Sequence, residues 1–413
     1  MTAGFSISPT PSSRLRKARS LGGRKAADPT RRALLALLGA SSAAACAEIR
    51  PPLTAQALTA TDAPTIDLDA VRFWADKGPT PAQLAAMRPA SEQTPHVLAL
   101  SGGAEDGAFG AGVLNGWSDR GDRPVFDLVT GVSTGAFIAP FAYLGPRHDA
   151  ALREIYTAYG PEDVVRSRGL RGLLGEGLYD TAPLARLIAH YVDKPLLDEI
   201  AEAHASGRRL FVVTTNLDAN RPVAWNLGAL ATSGDPQRLT LMREVILASA
   251  SIPGVFPPVL IEGASSGAAV QELHVDGGAI MQIFIMPERM IASGALLTGA
   301  APDASVYLLV NNSLTTRHQL VESAALSVLE RSFSTMVRSS VRASVVAALA
   351  FARANGATLR LAAVGPDFKG ELTERFDSAY MQALFAYGRN AARRGEAWRM
   401  AEDGGAERLL WVE

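Results

Sequence analysis

The clearest candidate for covalent chemistry is a serine set between glycines, Gly131-Val132-Ser133-Thr134-Gly135. A G-x-S-x-G turn between a strand and a helix leaves the serine hydroxyl exposed, and small neighbours leave room for the backbone and a substrate. The context is right, because "VFDLVTGVS" reads as a strand and "TGAFIAPFAYLG" as an apolar helix. A serine hydroxyl needs a base to take its proton. Asp276, in "HVDGG", ends a strand and is followed by Gly277 and Gly278, which places a carboxylate at a strand's carboxyl end with little bulk around it. A third stretch, "SGGAEDGAFGAG", follows the strand "HVLAL" and enters a helix over 107–120. Such turns direct backbone N–H groups at an anion. In acyl transfer the anion is a tetrahedral oxyanion, and donors aimed at it contribute about 10²–10³ in rate. The amides of Gly102, Gly103 and Ala104 are the candidates, with Gly107 at the start of the following helix.

Two other constellations compete. His274 lies two residues before Asp276, on the same strand face, so a Ser133–His274–Asp276 triad is an alternative. Neighbouring strand residues rarely align in series, and His318 has no evident aspartate partner. The order of elements also argues against an α/β-hydrolase, since one strand near 97–100 precedes the one leading to Ser133, whereas that fold normally places several there. "GAFGAG" imitates a dinucleotide turn, but its spacing is wrong and no ribose-binding acid follows the second strand.

The elements that must position these residues alternate. Strands are expected at 96–103, 125–133, 208–218, 271–278, 304–312 and 357–365, and helices at 107–120, 181–192, 238–249 and 317–355. This alternation predicts an α/β fold with a largely parallel central sheet and helices on both faces. Phe137, Ile138, Phe141 and Tyr143 read as core, whereas Phe284 and Met286 in "MQIFIMPERM" are expected to line an acyl pocket. The amphipathic stretch 376–398 reads as a helix packed on the core. The chain has 413 residues, 48% hydrophobic and 20% charged, with net charge -1, which argues against a nucleic-acid partner. Six histidines and one cysteine exclude a cysteine-rich zinc site and an internal disulfide.

Four blocks, in order, resemble the bacterial patatin-like phospholipase family: "SGGAEDGAFGAG", "GVSTG", "ASASIPGVFPPV" and "DGG". "TTNLDANRPVAWNLG" is similar to the family's central strands, and the resemblance spans roughly 94–398. It implies a patatin-like α/β/α sandwich and a Ser–Asp dyad, with Ser133 as nucleophile and Asp276 as base. It also implies hydrolysis of lipid carboxylic esters through an acyl-enzyme, with neither metal nor cofactor. The loop departs from the family's G-G-G-x-(Arg/Lys)-G pattern at Ala104 and Asp106. Ala104 is a mild change provided its φ angle is negative. Glu105 and Asp106 read as first-turn acids that stabilise exposed helix N–H groups. A sharper reading makes Asp106 a determinant of preference for neutral esters. The rival functions are a carboxylesterase for small esters and a non-catalytic lipid- or partner-binding lipoprotein.

The N-terminus carries a separate set of expectations. Residues 14–46 run from basic through apolar to small residues ending at Cys46, the layout of an export signal, and Arg31-Arg32 in "TRRALL" resembles a twin-arginine motif. Three alanines precede Cys46, although Ala43 stands where a lipobox normally has leucine. Lipidation at Cys46 would tether the protein to a membrane facing the periplasm, and Ala47 favours the outer membrane. Residues 47–93, rich in alanine and proline, read as a tether in which the patch 71–78 packs on the main domain; the hydrolase domain is expected at 94–400, with a tail at 401–413.

Overall fold

The computed structural model describes residues 66–86, 95–169, 172, 175–293, 304–315, 320–321, 323 and 325–400. The stretch expected to be an export signal, with Cys46, His318 and residues 401–413, lies outside the described residues.

The frame is one twisted sheet. Its strands are β1 (Arg72–Trp74), β2 (His96–Leu100), β3 (Leu128–Val132), β4 (Arg209–Asn216), β5 (Arg221–Asn226), β6 (Val259–Ser265), β7 (Ala268–Asp276), β8 (Ser305–Ser313), β9 (Thr358–Val364) and a two-residue edge, β10 (Arg399–Met400). The main path runs β1-β5-β4-β3-β2-β8-β9-β10. The four pairings from β4 through β3, β2 and β8 to β9 are parallel. The outer pairings, β1 on β5, β5 on β4 and β10 on β9, are antiparallel, as is the β6–β7 hairpin. The α/β fold with a mostly parallel sheet is thus the one the alternation of elements predicts, with antiparallel additions at the edges.

Strand periodicity decides what lies on each face. Leu98 and Leu100 of β2, with Tyr307 and Leu309 of β8, join one core with α1 (Gly107–Arg120), α2 (Thr134–Leu144), α3 (Asp149–Thr157), α4 (Ala182–Tyr191), α5 (Arg238–Ser249) and α7 (Ser378–Arg393). Val97 and Ala99, with Val306, Leu308 and Val310, join a second core with the long helix α6 (Ala325–Asn355) and the stretch Met281–Met286. Helix α7 packs so closely on α1 that a Cβ on Gly112 would come within 2.1 Å of the Phe385 carbonyl oxygen.

The tether expected over 47–93 gives way where that stretch is described. Residues 72–74 pair with β5, Arg72 opposite Trp225, and extend the sheet. Arg72 is buried, forms a two-pronged ion pair with Glu272 of β7 and stacks on Trp225 with its guanidinium 5.1 Å from the ring centroid. A second pair, Asp76 with Arg221 at 2.7 Å, holds the chain beyond β1. Burial by itself would raise the Glu272 carboxyl, but hydrogen bonds from His274 and Arg72 outweigh it and hold the group at about 2. Removing one partner strands the other charge, which typically costs about 3–5 kcal/mol for a buried pair. Arg72→Ala is therefore expected to lower unfolding free energy by about 3 kcal/mol in urea denaturation at neutral pH. Because the Glu272 carboxyl is depressed, the wild-type advantage should shrink as pH falls from about 4.5 toward 2.

Candidate active site

One edge of β4 brings the candidate residues together. Strand β3 runs parallel along it and ends with Val132 opposite Val213. Strand β7 arrives antiparallel on the same edge and ends with Asp276 opposite Thr214, the next residue. The carboxyl ends of β3 and β7 thus meet head to head. Ser133, the residue after β3, donates its hydroxyl hydrogen bond to the Asp276 carboxylate.

The elbow at Ser133 has φ 56° and ψ -124°, a conformation costing about 1–3 kcal/mol that surrounding contacts must enforce. A Cβ on Gly131 would lie 2.3 Å from the Gly135 carbonyl oxygen, and one on Gly135 would lie 2.6 Å from that of Leu100, so the turn closes only with glycine at both positions. The block 248–259 supplies the remaining restraint. Ser249, the last residue of α5, accepts the Ser133 N–H at 3.0 Å and donates its hydroxyl to the Val213 carbonyl at 2.7 Å. The Ser251 carbonyl accepts the Asp276 N–H at 2.9 Å. Nucleophile and base candidates are therefore held by the same short segment.

Asp276 is 4% exposed, and its Oδ1 accepts the Gly278 N–H at 2.7 Å. Burial pushes its carboxyl from an ordinary 3.8 up to about 7, against the opposing pull of the Ser133 and Gly278 hydrogen bonds. A carboxylate so placed is matched to proton transfer near neutral pH. His274 is not part of this pair. Its Nδ1 meets the Thr214 hydroxyl at 2.8 Å and its Nε2 meets Glu272 at 3.1 Å, so both ring nitrogens are engaged in a buried structural network. The histidine triad alternative is thereby set aside.

The glycine-rich loop passes directly over the elbow, since a Cβ on Gly102 would sit 3.7 Å from the Ser133 hydroxyl oxygen. Of its three candidate donors, Gly102 is spent elsewhere: its N–H donates to the Gln282 carbonyl at 3.2 Å. The amides of Gly103 and Ala104 enter no hydrogen bond among the described residues. Gly103 is obligatory, because a Cβ there would fall 1.9 Å from the Asn311 carbonyl oxygen. Two residues not singled out in the sequence brace this loop. Gln282 also donates its side-chain amide to the Gly278 carbonyl at 2.6 Å, tying the loop to the turn after Asp276. Asn311, fully buried on β8, donates its amide to the Ser101 carbonyl at 2.9 Å. Their only sequence signal is polarity inside an apolar strand or block. Gly107 fits beneath Thr134 and Tyr156, while Gly277 lies against the Val213 carbonyl.

Three expectations need correction. Ala104 has φ 49°, so the third loop position does demand the left-handed region. Glu105 and Asp106 do not cap the helix. Glu105 is buried and faces Arg375 at 3.5 Å, and Asp106 accepts the Tyr380 hydroxyl at 2.6 Å. Burial raises the Glu105 carboxyl, with Arg375 opposing. Finally, Phe284 and Met286 belong to the second core, on the other face of the sheet. The cavity at Ser133, about 60 Å³, is lined instead by Ala104, Phe137, Ile155, Leu184, Phe256, Phe376 and Met381, and is almost wholly apolar. Among the described residues no three histidine, cysteine or acidic side chains come together as a metal cluster would require.

The site thus sets a buried serine–carboxylate pair at the carboxyl ends of a mostly parallel sheet, under a glycine loop and beside an apolar cavity. Residues 98–287 match the patatin-like phospholipase family model. VipD from Legionella pneumophila is among the solved structures that align, at 12% identity over 84% of this chain and 73% of that one, with a TM-score of 0.32. Comparison with curated proteins gives no match.

The loop geometry carries a prediction. An alanine held at positive φ is strained by about 1 kcal/mol relative to glycine. Ala104→Gly should raise unfolding free energy by about 0.5–1 kcal/mol, read from the shift of the urea midpoint at constant slope.

Proposed function

We propose that the protein is a serine lipid acyl hydrolase in which Ser133 is the nucleophile and Asp276 the general base. The observation that carries this reading is the Ser133 hydroxyl bonded to a buried Asp276 at the mouth of an apolar cavity. The Ser133 oxygen attacks the ester carbonyl carbon while its proton passes to the Asp276 carboxylate. The carbonyl electron pair moves onto oxygen, and the amides of Gly103 and Ala104 receive that charge. Collapse expels the alcohol, which takes the proton back from Asp276 and leaves an acyl group on Ser133. Water then attacks the acyl carbon, giving its proton to Asp276, and collapse releases the carboxylic acid while Asp276 returns that proton to the Ser133 oxygen.

Ser133→Ala should lower ester hydrolysis at least about 10³-fold and abolish labelling by a fluorophosphonate. Labelling that survives the change removes Ser133 from this role. Because the base must be ionised, kcat/KM of the wild type should fall about tenfold per pH unit below an inflection near 7.

The cavity at Ser133, about 60 Å³ and almost wholly apolar, also admits a second reading, a carboxylesterase for small esters. A chain-length series of p-nitrophenyl esters separates the two. A maximum at short chains with no release of fatty acid from phospholipid vesicles selects the esterase, and activity rising with chain length and on vesicles selects the lipid hydrolase. Export and tethering through an acylated Cys46 belong to this proposal, and metabolic labelling with a fatty acid, lost in Cys46→Ser, tests them.

A further inference from the structure

The cavity beside Ser133 has a wall and a rim, told apart by exposure. Phe137 of α2 and Ile188 of α4 are buried along the wall, whereas Ala104, Ala250, Ile252 and Phe376 are half-buried and form the rim. Three of these four adjoin the reactive groups along the chain. Ala104 belongs to the glycine loop, Ala250 follows Ser249, which accepts the Ser133 N–H, and Ile252 follows Ser251, which accepts the Asp276 N–H. The rim thus surrounds the point where an ester reaches Ser133. In hydrolysis through Ser133 the acyl group stays on the serine oxygen while the alcohol must leave to solvent. The wall is almost wholly apolar, so the space behind the rim suits the acyl chain.

Phe376 is the bulkiest of the four rim side chains, and its backbone is strained. Its φ of 58° lies in the left-handed region, which bulky residues rarely adopt and which persists only where surrounding contacts enforce it. Such contacts flank it on both sides. Arg375 faces the buried Glu105 at 3.5 Å, and Tyr380 donates its hydroxyl to Asp106 at 2.6 Å, both acids following Ala104 in the glycine loop. Asp377 caps α7 by accepting the N–H groups of Ala379 and Tyr380 at 2.9 and 3.1 Å. Gln382 donates its side-chain amide to the Thr157 carbonyl at 2.9 Å, which joins α7 to the end of α3. The segment carrying Phe376 is therefore tied to the loop on one side and to α3 on another. Phe376 and Met381 also occupy the N′ and N4 positions of α7, the pair that forms a hydrophobic staple. A staple accounts for an apolar residue at 376, but not for a left-handed one at the rim of a cavity.

We propose that Phe376 sets acyl specificity by width: its ring narrows the rim so that straight-chain acyl groups reach Ser133, while groups branched next to the carbonyl are held back. The proposal rests on the acyl hydrolase reading for its chemistry, and its test tells the two apart. Isomeric esters remove carbon number and leaving group from the comparison. For the full chain, kcat/KM is measured on p-nitrophenyl hexanoate and on p-nitrophenyl 2-ethylbutanoate. Phe376→Gly, which also relieves the left-handed strain, should lower the straight-to-branched ratio at least about tenfold, and Phe376→Trp should raise it. The intrinsic difference between the two esters cancels between variants, and urea midpoints show that each variant is folded. A binding arm needs no turnover. In Ser133→Ala, calorimetry should find 1-hexanol bound more tightly than its isomer 2-ethyl-1-butanol, and adding Phe376→Gly should remove that preference. A kinetic ratio indifferent to both substitutions, with hydrolysis dependent on Ser133, overturns the proposal and leaves the acyl hydrolase reading standing. Equal binding of the two alcohols in Ser133→Ala also overturns it. Hydrolysis that survives Ser133→Ala, with an alcohol preference that only Phe376→Gly removes, overturns the Ser133 reading and supports the width filter.

Discussion

Everything at the site depends on how the edge of β4 is shared. A strand edge has one partner at each residue, and β4 changes partner between Val213 and Thr214, from β3 to β7. Because β3 and β7 run in opposite directions, the change of partner juxtaposes two carboxyl ends. Two residues 143 positions apart in the chain are thereby set side by side by backbone pairing, before any side chain is considered. Side-chain contacts then refine that placement. Ser249 and Ser251 hold the two backbones, and the Ser133–Asp276 hydrogen bond is the consequence.

The same junction explains the carboxyl's character. β7 carries three polar residues in alternation, Glu272, His274 and Asp276, but their surroundings differ. Glu272 is matched by the Arg72 guanidinium and held ionised, whereas Asp276 meets a neutral hydroxyl and a single backbone N–H. Among the described residues no cation offsets its burial, so its proton affinity rises toward neutrality. Arg72 lies in the segment before the matched family span, and it is this segment that neutralises the acid two pairs away. His274, engaged on both nitrogens, separates the structural charge pair from the reactive carboxyl.

Short-range signals made much of this legible. Short apolar runs bounded by turn residues located β2, β3, β4, β7, β8 and β9, and the glycines of "GVSTG" and "DGG" marked both reactive positions. Features that depend on distant pairing were not legible. β1 is three residues long, too short for periodicity to register, and becomes a strand because Arg72 and Phe73 find β5 and a buried partner. Phe284 follows the reactive aspartate in sequence, yet the turn at Gly277–Ala279 carries it to the opposite face, where the Thr130 hydroxyl donates to its carbonyl. Proximity along the chain misled there because a sheet has two sides. The engagement of the Gly102 amide by Gln282 likewise requires knowing that two loops cross.

The acids in the glycine loop make physical sense once the C-terminal helix is in place. Where the family pattern has a basic residue, Asp106 instead receives the Tyr380 hydroxyl, and neighbouring Glu105 faces Arg375. Both partners come from the segment around the start of α7, so the two acids act as attachment points for that segment. Between those attachments stands Phe376, with φ 58°, and one turn into α7 stands Met381. Both side chains line the cavity at Ser133, although both lie beyond residue 287, where the family match ends. Loop and wall are thus coupled. A basic residue at position 106 would lose the Tyr380 acceptor and set a cation near Arg375, loosening the very segment that closes the cavity. The departure from the family pattern is accordingly a matter of how this chain builds its pocket wall.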